Sequence, residues 1–181
     1  MKNAIPFFLW TLCFSACASE VCESGKGFQT SAGRLVSTDC ALNGYTTRQF
    51  KSLNGNKILE DRSLYEEAGD SAGQRWVFSG GNNPETGCAK TLYLLDIGVT
   101  PPQVLSFGVE GACTEFHWAS WGKKRSVIAI KSNVKFVYEN GKLIPPPKDL
   151  ALITKIDPPR IGSGIDEKKL QPFVREVSLP K

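Results

Sequence analysis

The sequence predicts a mainly β protein: an antiparallel sheet or sandwich of about seven or eight strands, with one short helix and a proline-rich C-terminal arm. β-Branched and aromatic residues are densest from 113 to 147, which indicates three strands joined by two tight turns. Short apolar runs separated by Gly, Asn and Pro recur before this stretch, and prolines interrupt the chain after it. We therefore predict one β-rich domain over residues 19–144 and an arm over residues 145–181 that packs on it.

The first 18 residues have the features of an export signal. Lys2 is basic, residues 5–14 are largely apolar, and residues 15–18 are small and include an Ala-x-Ala cleavage site. The segment is too short to remain as a membrane-spanning helix. Its end also resembles the bacterial lipobox, in which Cys17 is lipidated, although Leu is usual at the place of Phe14. We favour the lipidated, outer-membrane form, and both forms are periplasmic.

Four cysteines lie in the body of the chain: Cys22, Cys40, Cys88 and Cys113. An even set in an exported protein predicts two disulfides, with three arrangements open. We favour Cys22 with Cys40 and Cys88 with Cys113, because each pair closes a modest loop beside turn-forming residues. Each bridge would contribute roughly 3 kcal/mol to stability. No Cys-x-x-Cys pair or histidine cluster is present, so no metal site and no cofactor is predicted.

The segments before residue 62 differ in character. Residues 21–44 are rich in Gly, Ser and Thr, and we predict irregular or edge structure there, held by the first disulfide. Residues 48–53 and 57–60 flank Asn54-Gly55, a pair that readily adopts the positive φ angles of a type I′ turn. These three segments predict a β-hairpin.

A short helix is predicted directly after this hairpin. Ser63 and Glu66 have the spacing of a capping box, in which each side chain bonds a free N–H at the start of a helix. Gly69 follows at a position where it can end the helix as a left-handed cap. The segment allows one or two helical turns.

Three further strands are predicted at residues 74–78, 90–97 and 103–109. Residues 90–97 are apolar on both faces, which is typical of a central strand covered on both sides. In the next strand, alternation places Phe116 and Trp118 on one face, and Trp118 is predicted to lie in the core.

Charge and motifs exclude several classes of function. The chain has 22 basic and 18 acidic residues, a net charge of +4 that is spread along the sequence and does not predict nucleic-acid binding. His117 is the single histidine, so a hydrolase would need it to activate Ser120 or a distant serine. Carboxylate pairs and phosphate-binding glycine motifs are not indicated by spacing. We therefore predict no catalytic residues and no enzyme activity.

With these classes excluded, binding of another protein through an exposed surface is the remaining class of function. Aromatic residues and arginine most often anchor such surfaces. The predicted hairpin brings together one candidate patch, consisting of His117, Trp121, Lys123, Lys124, Arg125 and Tyr138. A glycine-rich loop supplies a second candidate patch, consisting of Asn82, Asn83 and Glu85.

A family resemblance agrees with a binding role. Residues 107–109, 112–113, 115–122, 126–130 and 138–141 make the chain similar to the periplasmic immunity lipoproteins of bacterial type VI secretion systems, especially those that neutralise phospholipase effectors. The resemblance implies a stoichiometric inhibitor that binds a protein toxin and blocks it. Two alternatives stay open: an envelope lipoprotein with a structural or small-ligand role, and a periplasmic hydrolase that uses His117.

Overall fold

The computed structural model describes residues 19–81, 91–109, 114–131, 134–146 and 172–178. These residues form fourteen strands and no helix. The mainly β, antiparallel class is therefore confirmed, while the strands outnumber the seven or eight expected. The strands are β1 Val21–Ser24, β2 Phe28–Thr30, β3 Gly33–Leu42, β4 Tyr45–Leu53, β5 Asn56–Asp61, β6 Leu64–Gly69, β7 Arg75–Gly80, β8 Thr91–Asp96, β9 Gln103–Val109, β10 Phe116–Ser120, β11 Arg125–Ile130, β12 Lys135–Glu139, β13 Lys142–Ile144 and β14 Pro172–Glu176.

The strands form three antiparallel sheets. The N-terminal sheet has the order β1-β3-β4-β5, with β2 also paired to β3. The central sheet has the order β14-β9-β8-β7-β6, and the four-stranded sheet has the order β10-β11-β12-β13. Strands that follow one another along the chain are mostly neighbours, as short hairpin connections require.

The central sheet is covered by another sheet on each face. Val77 and Leu94 pack in one apolar cluster with side chains of the four-stranded sheet. Trp76, Phe78 and Leu95 pack in a second cluster with side chains of the N-terminal sheet. Successive residues of a strand point to opposite faces, so the prediction of a strand buried on both faces within residues 90–97 is confirmed over Thr91–Asp96. The fold is thus a stack of three β layers.

Asn-Gly turns connect three of the hairpins. Asn54 and Gly55 have φ angles of 52° and 83°, which confirms the predicted hairpin of β4 and β5. Both residues of Asn43-Gly44 and both residues of Asn140-Gly141 also have positive φ angles. The first of these joins the ten-residue β3 to β4, so the irregular structure predicted over residues 21–44 is wrong for β3. The edge alternative holds for β1 and β2, which lie along an edge of the N-terminal sheet. The sequence of β3 is polar because one face of the strand lies in solvent, and this composition did not predict a strand.

The predicted short helix is also wrong, since the segment forms β6. β6 pairs with β7 from Leu64 opposite Gly80 to Gly69 opposite Trp76. One or two helical turns are marginal in water, whereas pairing with a neighbouring strand satisfies backbone groups and buries Leu64.

A β-bulge reverses the expected positions of two tryptophans. The register of β10 against β11 shifts between Phe116 and Trp118, and His117 is the extra residue. A one-residue shift moves the following side chains to the other face. Trp118 is therefore 37% exposed, while Trp121 packs against the core. The prediction that Trp118 lies in the core is wrong for this reason.

The described end of the C-terminal segment joins the central sheet. β14 pairs with β9 from Pro172 opposite Val109 to Glu176 opposite Leu105. Proline lacks an N–H, yet it is tolerated at the first residue of an edge strand, which is where Pro172 lies. The rest of the predicted arm, residues 147–171, lies outside the described residues.

We expect Leu94→Ala to lower the free energy of unfolding by about 2–5 kcal/mol, because Leu94 is fully buried between two sheets and the truncation leaves a cavity. Urea denaturation followed by circular dichroism measures the change. Val21→Ala is the control, since Val21 is 59% exposed and its truncation should change stability by less than about 0.5 kcal/mol. Equal losses for the two variants would contradict the three-layer core.

Candidate protein-binding site

An arginine of the central sheet holds the turn that precedes β11. Arg75 lies at the start of β7 and its side chain is largely buried. Its Nη1 atom donates hydrogen bonds to the Gly122 carbonyl oxygen at 3.1 Å and to Ser126 Oγ at 2.8 Å. Its Nε atom donates to Asp70 Oδ2 at 2.8 Å. One guanidinium therefore connects the β6–β7 turn to the four-stranded sheet.

Asp70 compensates the charge of this arginine. Its side chain is almost fully buried, and its Oδ1 atom accepts a hydrogen bond from the Gln74 N–H at 2.8 Å. Desolvation is the largest influence on the Asp70 carboxyl and raises its pKa. Hydrogen bonds from Gln74 and Arg75 together outweigh it, so the pKa lies below its ordinary value of 3.8. Asp70 therefore stays ionised beside Arg75 at neutral pH.

The turn from Trp121 to Arg125, the basic turn, is fixed on both sides. Ser126 is fully buried, and its Oγ atom accepts the Gly122 N–H at 3.2 Å. A Cβ atom at position 122 would collide with the Arg125 carbonyl oxygen, so the close approach requires glycine. The Trp121 ring lies 5.3 Å from the Arg75 guanidinium and packs against the core. These contacts hold the backbone while Lys123, Lys124 and Arg125 remain exposed.

His117 does not lie beside the basic turn. The bulge that contains it is opposite residues 129–130 of β11, about 13 Å along the strand from Arg125 at 3.3 Å per residue. The imidazole is exposed. Among the described residues, no hydrogen bond or ion pair joins His117 to another side chain. The bulge and the basic turn therefore lie at opposite ends of β11, and the predicted patch is not brought together.

Tyr138 is a second correction, because it lies in the core. Its side chain is 3% exposed, and its hydroxyl donates a hydrogen bond to Asp96 Oδ2. Burial, and then this hydrogen bond, raise the pKa of Tyr138. Tyr138 therefore cannot belong to a contact surface and instead joins the four-stranded sheet to β8.

Several predicted residues lie outside the described ranges. They are Cys17 with its lipidation, the second patch at Asn82, Asn83 and Glu85, and the cysteines Cys88 and Cys113. The first predicted disulfide is confirmed. Cys22 and Cys40 lie opposite each other on β1 and β3 with a sulfur–sulfur distance of 2.04 Å.

This disulfide lies next to a carboxylate. The carboxylate of Glu20 and the sulfur atoms of Cys22 and Cys40 all lie within 4.8 Å of one another, and residues of these types can bind metal ions. Metals bind cysteine as the thiolate. Because the two sulfurs are bonded to each other, they offer no thiolate in this form.

Comparison with known proteins identifies no relative. No protein-family model, no curated protein and no solved structure matches this chain. Within the described ranges, no helix has the length and apolar character needed to cross a bilayer. What the protein does has to be inferred from its own residues.

Sequence reasoning missed the residues that support the basic turn. Asp70 and Arg75 flank a short Gly-containing turn, a pattern that marks a hairpin but does not indicate a partner in another sheet. Ser126 directly precedes the apolar residues 127–130 of β11, and a single polar residue beside this run was the available signal. Its role depends on the approach of Arg75 from the central sheet.

We expect Asp70→Asn to lower the free energy of unfolding by about 3 kcal/mol at pH 7, because it leaves the Arg75 guanidinium without its buried counter-charge. The folded-state pKa of Asp70 is lowered, so its stabilisation is present above pH 3.8 and is lost as the pH falls through the folded value. The difference between wild type and variant should therefore shrink below about pH 4. Urea denaturation from pH 7 to pH 3 tests this, with exposed Asp39→Asn as control. A difference that is independent of pH would contradict the pairing.

We expect Ser126→Ala to speed hydrogen exchange of the Gly122 amide, because that N–H loses its acceptor and Arg75 loses one contact. The cost in stability should be about 1–3 kcal/mol. Exchange measured by NMR at equal folded fraction separates the local effect from global unfolding. Exposed Ser120→Ala is the matched control and should leave Gly122 unchanged.

Proposed function

We propose that this protein is an exported bacterial immunity protein that binds and neutralises an antibacterial toxin by stoichiometric contact. The toxin is proposed to be an effector of the type VI phospholipase class acting in the periplasm. Inhibition requires no bond chemistry by this chain, only a rigid surface that covers the toxin's active site or holds the toxin in an inactive state.

The observation that carries the proposal is the fixed, exposed basic turn. Three consecutive cationic side chains project from a backbone held by Arg75 and Ser126. Binding is weakened by the cost of ordering a loop, and a loop that is already ordered avoids this cost. Exposed charges also speed the encounter with a partner of opposite charge. A turn built in this way suits tight and rapid binding of a protein.

The disulfide of the N-terminal sheet supports the proposal that the protein is exported. The Cys22–Cys40 bridge is compatible with an oxidising compartment such as the periplasm, where disulfides persist. The resemblance to periplasmic immunity lipoproteins that the sequence suggests over residues 115–122 and 126–130 implies the same location. Lipidation at Cys17 would place the protein on the outer membrane, within reach of an incoming effector.

The hydrolase alternative gains no support from the described residues. A nucleophile needs a base within hydrogen-bond reach, about 2.6–3.2 Å. His117 is exposed on its bulge and makes no such contact with a described hydroxyl. Contact with a protein therefore remains the proposal.

We expect the full chain to restore growth of cells that express, in the periplasm, the phospholipase or cell-wall hydrolase toxin encoded beside it. The purified toxin and this protein should elute together in a one-to-one complex. Absence of both rescue and complex with that toxin would overturn the proposal.

The double variant Lys123→Glu with Arg125→Glu should weaken rescue and lower the association rate, because it reverses two charges of the basic turn. Lys26→Glu with Arg62→Glu is the matched control, since it makes the same change in net charge at exposed positions elsewhere. Equal loss in both double variants would indicate a response to net charge alone and would contradict a role for the turn. Surface plasmon resonance measures the rates.

A further inference from the structure

A row of apolar side chains crosses the outer face of the four-stranded sheet. Register places Val127, Val137 and Ile144 side by side on β11, β12 and β13, and Ser120 of β10 lies next to Val127. The residues that alternate with them, such as Ile128, belong to the core cluster, so this row faces away from the central sheet. Ile144 is 49% exposed, and the two valines are half-buried.

An exposed tryptophan lies in the next row of the same face. Trp118 is opposite Ala129, which is opposite Lys135. The Lys135 Nζ atom lies 5.9 Å from the centre of the Trp118 ring, within the range of a cation–π contact. The bulge at His117 is what turns this tryptophan outward. A tryptophan beside an apolar row is the composition typical of the centre of a protein interface.

The surroundings of this face are strongly basic. Residues 114–146 contain six basic and two acidic residues. All six basic side chains are exposed, and one of the two acids, Glu115, is paired with Lys131. The other acid, Glu139, lies in register between Arg125 and Lys142. The net positive charge repels a second copy of the same face and attracts an acidic surface.

We propose that the outer face, defined by Trp118, Val127, Val137 and Ile144, docks an acidic protein surface that has an apolar centre. The proposal rests on the proposed function and names the face that the toxin would cover. The basic turn is continuous with it through Arg125, the first residue of β11 and a member of the row that contains Lys142. The turn then steers the partner while the tryptophan and the apolar row bind it.

The first test uses a synthetic probe and needs no toxin. A cyclised β-hairpin peptide with Val and Tyr on one face and Glu and Asp around them is titrated into isotope-labelled protein. Amide shifts should change on β10 to β13 and not on β3 or β4, and the same hairpin with Lys in place of the acids should bind at least tenfold more weakly. Shifts confined to another surface, equal binding of the two hairpins, or no binding would overturn the proposal.

Trp118→Ala should weaken binding of the acidic hairpin by about tenfold to thirtyfold, because a central aromatic anchor is removed. Tyr45→Ala is the matched control, since Tyr45 is 79% exposed on the N-terminal sheet and should have no effect. Hydrogen-exchange profiles of both variants verify that they remain folded. Sedimentation velocity tests whether a second copy of this chain occupies the face instead. A wild-type dimer that dissociates in Trp118→Ala would overturn docking of an acidic partner.

The cellular experiment separates this proposal from the proposed function. Suppose that the double variant Trp118→Ala with Ile144→Ser neutralises the toxin as well as the wild type does. The outer face is then not the docking site, and the immunity function stands. If the wild type fails to neutralise the toxin while the acidic hairpin binds the outer face, the immunity function is wrong and the docking role of the face stands. Loss of neutralisation in this double variant but not in Tyr45→Ala supports both.

Discussion

The fold depends on the burial of both faces of the central sheet. β7, β8 and β9 carry apolar side chains at successive positions, so neither face can remain in water. The N-terminal sheet covers one face around Trp76 and Phe78, and the four-stranded sheet covers the other around Val77. A chain of this length therefore forms three thin β layers rather than the two layers of a simple sandwich.

Buried polar side chains join the central sheet to the four-stranded sheet. Arg75 is the main one, because a buried guanidinium needs both a counter-charge and hydrogen-bond acceptors. Asp70 supplies the charge, while Gly122 and Ser126 supply acceptors on the neighbouring sheet. Tyr138 and Asp96 make a second join between these two sheets. The basic turn is thus ordered by the same contacts that align the layers.

The arrangement separates the packed interior from the outer face that is proposed to bind a partner. Bulges are commonly found where a strand must re-aim a side chain, and the bulge at His117 places Trp118 on the outer face. Register places Lys135 in the row of Trp118, and Arg125 and Lys142 in the row on the other side of the apolar one. A partner could then be recognised by charge at a distance and by apolar contact on arrival. This division of roles is what an inhibitor acting by contact needs.

The sequence by itself determined the mainly antiparallel class, the hairpin at Asn54-Gly55, the central strand within 90–97 and the Cys22–Cys40 bridge, because each depends on local turn chemistry, period or spacing. It did not determine the strand at Leu64–Gly69, where pairing with β7 outweighed a local helix signal. Nor could it determine the partners of Arg75 or the exposure of Trp118. Those depend on the approach of distant strands and on a one-residue shift in register, which only the packed tertiary structure decides.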